Sequence, residues 1–189
     1  MTSDSSVFLV GLDDVRSYLD IDDSDSNDLL GYLMQGISAM FNAATGRELL
    51  AADHVEYRTG DGTGTIYVRN PPINSTSETI DVRVDADRNF PESTKISDIW
   101  IDGSIGHVVR INGAFERTRP VRIEYNGGYE SVPYDLRMAA LTMVTIAWKE
   151  RSQKQMDVAS MSKGEITYQY LDRLPHKVRM TLQRYSLYG

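Results

Sequence analysis

The strongest candidate for a metal-binding site in this sequence is a cluster of aspartates. Five of them fall within a short stretch: Asp20, Asp22, Asp23, Asp25 and Asp28. Alternating oxygen ligands of this kind occur in calcium-binding EF-hand loops. Counted from Asp20, however, Asp25 stands where such a loop needs its turn glycine, and Gly31 stands where it needs the bidentate glutamate. We therefore interpret this stretch, which we call the acidic link, as a solvated connection that caps the next helix.

The other polar motifs also fall short of a catalytic or ligand-binding site. The loop 60–64 resembles a phosphate cradle, but it has no lysine and leads into a strand, so we interpret it as the tip of a β-hairpin. The three histidines, His54, His107 and His176, lie in separate predicted elements without metal-ligand spacing. The chain has no Gly-x-Ser-x-Gly motif and no cysteine. These observations predict a protein that is not an enzyme and has no metal or cofactor.

Composition and charge further limit the kind of protein that this sequence can encode. With 189 residues, 41% of them hydrophobic, the chain is long enough to bury a core, and we expect Trp100 and Trp148 to contribute to it. No stretch has the character of a membrane span or a signal peptide. Residues 1–31 hold eight aspartates and one arginine, so the net charge of -7 is concentrated there. An acidic pole of this kind disfavours binding to nucleic-acid phosphates.

Helical patterns occupy the N-terminal part of the chain. Apolar residues at helical spacing predict a first helix over 12–19 and a longer amphipathic helix after the acidic link. Ser24 or Asp25 is the expected N-cap of this second helix, and Gly46 is its expected C-terminal glycine.

Helical patterns return near the C-terminal end. Pro133 suits the first turn of a third helix that continues to about Ser152. This helix is apolar on most of its circumference, as the central helix of a bundle is. A polar stretch at 152–164 and a strand-like run at 166–170 follow, and a last helix begins near Pro175.

Between these helical parts, the sequence changes to the two-residue alternation of β structure. We predict that strands at 55–58 and 66–68 pair as a hairpin around the loop 60–64. Further strand patterns follow at 80–84, 99–101, 108–111 and 121–125. The predicted fold class is therefore α+β, a small α-helical bundle formed by both chain ends with an inserted, mostly antiparallel β unit. The expected boundaries are 1–52 for the N-terminal helices, 53–130 for the β-rich insert and 131–189 for the C-terminal helices and docking tail.

The order of these segments resembles the head-to-tail connector family of tailed phages, which includes adaptors of gene transfer agents. The resemblance covers nearly the whole chain in order. It rests on 9–19, the helix end at 44–47, the run 124–129, the run 132–137 that opens the third helix, and 174–175. The chain departs from the family at Gly11, where a capping threonine or serine is common, and its β insert matches by pattern rather than by identity.

This resemblance implies a structural virion protein. Members of the family form a ring, usually of twelve copies, beneath the capsid portal after DNA packaging. The ring extends the DNA channel and provides a platform for the stopper and the tail. The implied partners are the portal protein, a stopper or tail-completion protein and other copies of the chain. DNA passes through without sequence-specific binding, no membrane is involved, and the protein reaches the virion's head-tail interface after assembly in the host cytoplasm.

In this family the C-terminal segment commonly inserts against the portal, so the resemblance implies that 174–189 docks there. The expected portal contacts are Arg173, Lys177, Arg179, Arg184, Tyr185, Leu187 and Tyr188. In the alternative interpretation, Leu182 and Tyr185 close the core of the monomer and the arginines are solvated. The loop 60–64 and the stretch 152–164 are candidates for contacts with neighbouring subunits or with the next neck protein.

Two further alternatives stay open. The acidic link either faces the channel, where its charge repels DNA, or forms a solubilising outer surface. The protein as a whole is either the connector or another neck component, such as a stopper or tail-completion protein with a β-barrel core. An uncharacterised hydrolase is the alternative from a different class.

Overall fold

The computed structural model of the chain describes residues 8–152 and 174–187. The chain divides into two compact units. The helical unit comprises Met1–Leu50 and Ser131–Gly189, and the β unit comprises Ala51–Glu130. Helices at both chain ends and antiparallel sheets between them confirm the predicted α+β class.

Four helices form the described part of the helical unit. They are α1 (Leu12–Leu19), α2 (Asn27–Thr45), α3 (Tyr134–Ser152) and α4 (His176–Tyr185). Because α2 and α3 each contact the other three helices, the prediction of a central third helix is confirmed. None of the helices in the described ranges combines the length and apolar character that crossing a bilayer requires. The predicted run at 166–170 and the polar stretch beyond Ser152 lie outside the described residues.

The two ends of α2 are set by glycine at its C-terminus and by a capped turn before its N-terminus. Gly46 ends α2 in the left-handed conformation, with φ of 72°, as predicted. The predicted N-cap of α2 was wrong, because the helix begins at Asn27 after Ser26 rather than after Ser24 or Asp25. The backbone amide of Ser26 donates to Asp23 Oδ1 at 3.1 Å. This bond adds a short turn before the helix, so the acidic link caps that turn and the helix starts after it.

Six strands form two antiparallel sheets in the β unit. They are β1 (Ala52–Thr59), β2 (Thr65–Tyr67), β3 (Asp81–Val84), β4 (Ile99–Asp102), β5 (His107–Arg110) and β6 (Pro120–Gly127). The strand orders are β1-β6-β3 and β2-β5-β4. Apolar residues from both sheets, among them Ile66, Val82, Val108 and Ile123, join in one core with Phe115 from the segment between β5 and β6.

The predicted hairpin around the loop 60–64 was wrong. β1 pairs with β6, and β2 pairs with β5, so the two strands flanking the loop lie in different sheets. The loop packs instead on the 115–119 segment, where Gly60 N donates to Arg119 O and Gly62 N to Phe115 O, both at 2.9 Å. A side chain at Gly60 would place its Cβ 2.7 Å from the Phe115 carbonyl oxygen, so only glycine allows this approach.

The expectation that Trp100 lies in the core was also wrong. Its neighbour Ile99 is buried, and because side chains alternate along a strand, Trp100 points to the other face of β4 and is 56% exposed. Tyr67 is exposed on β2, and its ring lies edge-on to that of His107 at 4.0 Å between centroids. Trp148 is half-buried in α3.

A partly buried polar network joins β1 and β6 to the 68–71 segment. The Glu56 carboxylate accepts hydrogen bonds from the Tyr125 hydroxyl, from Arg69 N at 2.8 Å and from Arg58 Nη2 at 2.5 Å. The amide of Asn70 donates to the Tyr125 hydroxyl at 3.1 Å. Burial raises the pKa of the Tyr125 hydroxyl well above its usual value, and its hydrogen bond to Glu56 adds to this effect. The network fixes the 68–71 segment under the sheet.

Candidate functional site

Helix α4 carries most of the residues predicted to contact a portal, and its inner face holds it in the helical unit. Val178, Thr181 and Leu182 are buried, while Pro175 precedes the first helical residue. Removing residues 174–189 would therefore expose the core of the unit as well as delete the predicted portal contacts. Point substitutions on the outer face are consequently the better test of binding.

Two of the predicted contacts are tied into the bundle. The Tyr185 hydroxyl donates to Asp135 Oδ1 at 2.5 Å, and the backbone amide of Leu187 donates to Thr45 O at 3.2 Å. These bonds, together with the buried Leu182, match the interpretation in which the end of the chain closes the monomer core. The portal role of Tyr185 and Leu187 stays a prediction. Arg173 and Tyr188 lie outside the described residues.

The outer face of α4 is cationic, because residues 174–187 include no aspartate or glutamate. Lys177, Arg179 and Arg184 are all exposed, and Met180 is 48% exposed. The Arg184 guanidinium lies 3.5 Å from Asp135 Oδ2, yet 69% of its side chain is accessible. Within the described ranges, neither Lys177 nor Arg179 has an ion-pair partner.

Helical spacing divides this outer face into two flanks. Lys177 and Arg184 are seven residues apart and Met180 lies between them, so these three side chains form one stripe. We call this stripe the lysine flank. Arg179 is two residues from Lys177 and lies on roughly the opposite side of the helix, with Gln183 one turn further on. We call this second side the arginine flank.

All five aspartates of the acidic link are exposed. Arg16 spans the link by donating to the carbonyl oxygens of Ile21 at 3.3 Å and Asp22 at 2.7 Å. These carbonyls are thus already occupied, and no group of acidic and histidine side chains suited to a metal occurs among the described residues. Hydrogen bonds from Ser26 hold the pKa of the Asp23 carboxyl below its usual value, so that carboxyl stays charged.

Sequence reasoning missed a groove of about 620 Å³ on the outer face of sheet β1-β6-β3. Its lining includes four carboxylates: Asp53, Asp81, Glu124 and Glu130. Val55, which is 51% exposed, lies among them and supplies an apolar floor. The groove depends on the pairing of β1 with β6, which sets Val55 opposite Glu124 and Asp53 opposite Asn126. Because that pairing was not predicted, no signal in the sequence pointed to the groove.

The groove keeps a net negative charge. Asp81 pairs with Arg83 at 3.0 Å, Glu124 pairs with Arg122, and Asp53 Oδ1 accepts from Asn126 Nδ2 at 2.8 Å. Glu130 is exposed, and it has no ion-pair partner in the part of the chain that the structure describes. Two of the four carboxylates therefore lack a neutralising cation, which favours a cationic occupant.

A profile of the head completion protein family matches residues 8–187, which is nearly the whole chain. The chain belongs to the head completion protein family. The resemblance seen in the sequence is thereby confirmed, and the family gives the chain a structural role in connecting a head to a tail.

A solved structure has a similar fold. A chain in the neck of an empty gene transfer agent particle, computed with C6 symmetry, aligns with a TM-score of 0.63 and 16% sequence identity. The alignment covers 98% of the present chain and 92% of that chain. A search of curated proteins finds no match. At this identity the likeness shows a shared fold.

Proposed function

We propose that this protein is the adaptor that forms a ring beneath the capsid portal, extends the DNA channel and receives the stopper and tail. The observation that carries the proposal is the head completion match over residues 8–187. Similarity in fold to a chain from a particle neck supports the same setting. A ring of identical subunits requires one interface repeated head to tail around an axis, with two different surfaces on each subunit.

The arginine flank of α4 is the proposed portal contact. Arg179 and Gln183 are exposed along a side of the helix that runs toward Leu187 and the chain end. Val178 and Leu182 are buried on the neighbouring side of the same helix, so the flank is presented on a fixed support. A cationic surface of this kind fits an acidic patch on the portal. Arg173 and Tyr188, expected from sequence, belong to the same proposal.

The acidic link is proposed to line the channel. Its aspartates are exposed, and none of them has an ion-pair partner in the described ranges. Like-charge repulsion from such a surface would keep passing DNA from adhering, and salt would weaken it over roughly 8 to 10 Å. Replacing Asp22, Asp23 and Asp25 by asparagine is expected to slow DNA release from assembled particles. Normal retention and ejection would instead assign the link to the outer surface.

Native mass spectrometry of the intact protein, alone and with the portal protein of the same genome, tests the proposal as a whole. The expected result is a ring of 21.3 kDa subunits bound to the portal, with twelve copies as the resemblance implies. A subunit that stays monomeric and does not bind the portal would contradict the adaptor role. It would favour a stopper or tail-completion protein instead.

Charge reversal at a single residue tests whether the arginine flank contacts the portal. Arg179→Glu is expected to weaken portal binding by about tenfold or more, because like charges would then face each other. Arg117→Glu is the matched control, since Arg117 is an exposed arginine of the β unit. Equal portal affinities of the two variants would remove the arginine flank from the interface.

A further inference from the structure

The groove on sheet β1-β6-β3 has the chemistry of a docking site for a cationic, partly apolar surface. Its floor is the exposed side chain of Val55, and carboxylates at Asp53, Asp81, Glu124 and Glu130 surround that floor. Arg83 and Arg122 already pair with Asp81 and Glu124, so an occupant with a central apolar side chain and cations on either side would bury Val55 and neutralise Asp53 and Glu130.

The lysine flank of α4 has the complementary arrangement. Met180, an adaptable apolar side chain that is 48% exposed, lies between the cations of Lys177 and Arg184. No carboxylate from 174–187 interrupts this stripe, and the charge pair between Arg184 and Asp135 leaves most of the arginine accessible. The flank and the groove therefore carry opposite charges at their rims, and each has an apolar side chain at its centre.

We infer that the lysine flank of one subunit docks in the β-unit groove of the next copy, and that this contact is the repeating interface of the ring. The inference rests on the proposed adaptor function, because it supplies the two different surfaces that a head-to-tail ring needs. It also divides α4 between two partners, with the lysine flank facing a neighbouring copy and the arginine flank facing the portal.

Cysteine cross-linking tests this interface directly, since the natural chain has no cysteine to interfere. Val55→Cys and Met180→Cys are made as separate proteins, mixed and oxidised. We expect a disulfide-linked heterodimer in the mixture and little dimer from either protein alone. Tyr67→Cys mixed with Met180→Cys is the matched control, because Tyr67 is at least as exposed as Val55 but lies on the other sheet of the β unit.

The doubly substituted protein distinguishes contacts between copies from contacts within one chain. Val55→Cys/Met180→Cys in a single chain is expected to give a ladder of linked subunits that ends at the ring. A product consisting only of internally linked monomer would overturn the inference. So would a heterodimer yield no higher than that of the Tyr67 control.

Charge exchange provides a second measurement that does not depend on disulfide geometry. Lys177→Glu/Arg184→Glu alone and Asp53→Lys/Glu130→Lys alone should each lose self-association by about tenfold or more, because each brings like charges together. A mixture of the two should assemble, since every interface in an alternating ring then pairs opposite charges. If circular dichroism shows that both proteins are folded and the mixture still does not assemble, the inferred contact between flank and groove is wrong.

These outcomes are separable from failure of the adaptor role itself. If native mass spectrometry shows a ring on the portal but Val55 and Met180 do not cross-link, the interface is elsewhere and the adaptor function stands. If no ring or portal complex forms under any condition, the adaptor function fails and the inference fails with it.

Discussion

The helical unit and the β unit are held together by different means. In the helical unit, segments from the two ends of the chain meet through apolar helix faces, and partly buried polar contacts at Asp135 add to this packing. The β unit is one continuous segment, and it holds a partly buried network of several hydrogen bonds around Glu56 in addition to its apolar core. Apolar packing tolerates variation in shape, whereas a buried charged network demands a defined geometry. The β unit is therefore the more strictly specified half.

The largest expected effects come from truncating one core residue in each unit. Ile123→Ala in the β unit and Leu182→Ala on α4 should each lower the free energy of unfolding by about 2–5 kcal/mol, because both side chains are buried. Hydrogen exchange of the intact chain, followed peptide by peptide, should place the loss of protection mainly in the unit that carries the substitution. Equal loss in both units for either variant would contradict the division into two compact units.

The buried network should give the next largest effect. Tyr125→Phe removes the hydroxyl that donates to Glu56 and accepts from Asn70, leaving both without that partner. We expect a loss of about 1–3 kcal/mol in the free energy of unfolding, measured by urea denaturation. Tyr67→Phe is the control, since Tyr67 is exposed and should lose far less. A smaller loss for Tyr125→Phe than for the control would show that the network adds no stability.

The raised pKa of Tyr125 predicts that the free energy of unfolding decreases at alkaline pH. The pKa of Tyr125 is raised in the folded chain, so the folded state keeps its phenolic proton where the unfolded state begins to lose it. The stability from this group is complete below the ordinary tyrosine value of about 10 and decreases as the pH rises above it. Unfolding curves of the natural chain and of Tyr125→Phe should converge in that range. Parallel curves would contradict the raised pKa.

The elements of both units were predictable from sequence, whereas the pairing of strands was not. Helix positions follow from local patterns, so α1 and the C-terminal end of α2 at Gly46 were correct. Strand positions were also close, but β1 pairs with β6 across more than sixty residues, and local alternation carries no information about such a partner. The glycines of the loop 60–64 indicated a tight turn, whereas they serve a close approach to the 115–119 segment.

The candidate surfaces divide in the same way. The cations of α4 were found because they follow one another on one helix. The groove was missed because Asp53, Asp81 and Glu124 come from three strands that only the sheet brings together. Trp100 was misplaced because alternation gives two faces of a strand without stating which one is buried.

Removing the polar contacts at Asp135 in the helical unit should lower the free energy of unfolding less than disrupting the network around Glu56. Asp135→Asn weakens the bond from Tyr185 and removes the charge facing Arg184, at a cost of about 0.5–1.5 kcal/mol. Hydrogen exchange should increase in the 174–187 peptide more than in peptides from the β unit. Asp25→Asn is the control, because Asp25 is exposed and has no ion-pair partner in the described ranges. An unchanged 174–187 peptide would mean that α4 is held by its apolar face alone.

The smallest expected effects are two glycine substitutions in α2, which should have opposite signs. Gly31 lies inside the helix, and an added Cβ would meet nothing within 4 Å beyond the adjacent residues and backbone of its own helix, so Gly31→Ala should stabilise the chain by about 0.5–1 kcal/mol. Gly46 ends the helix at φ of 72°, where a side chain is strained, so Gly46→Ala should destabilise it by about 1 kcal/mol. Thermal unfolding of both variants beside the natural chain measures the difference. Shifts of the unfolding temperature in the same direction would show that packing, rather than the backbone preferences of these two residues, decides the stability of the helical unit.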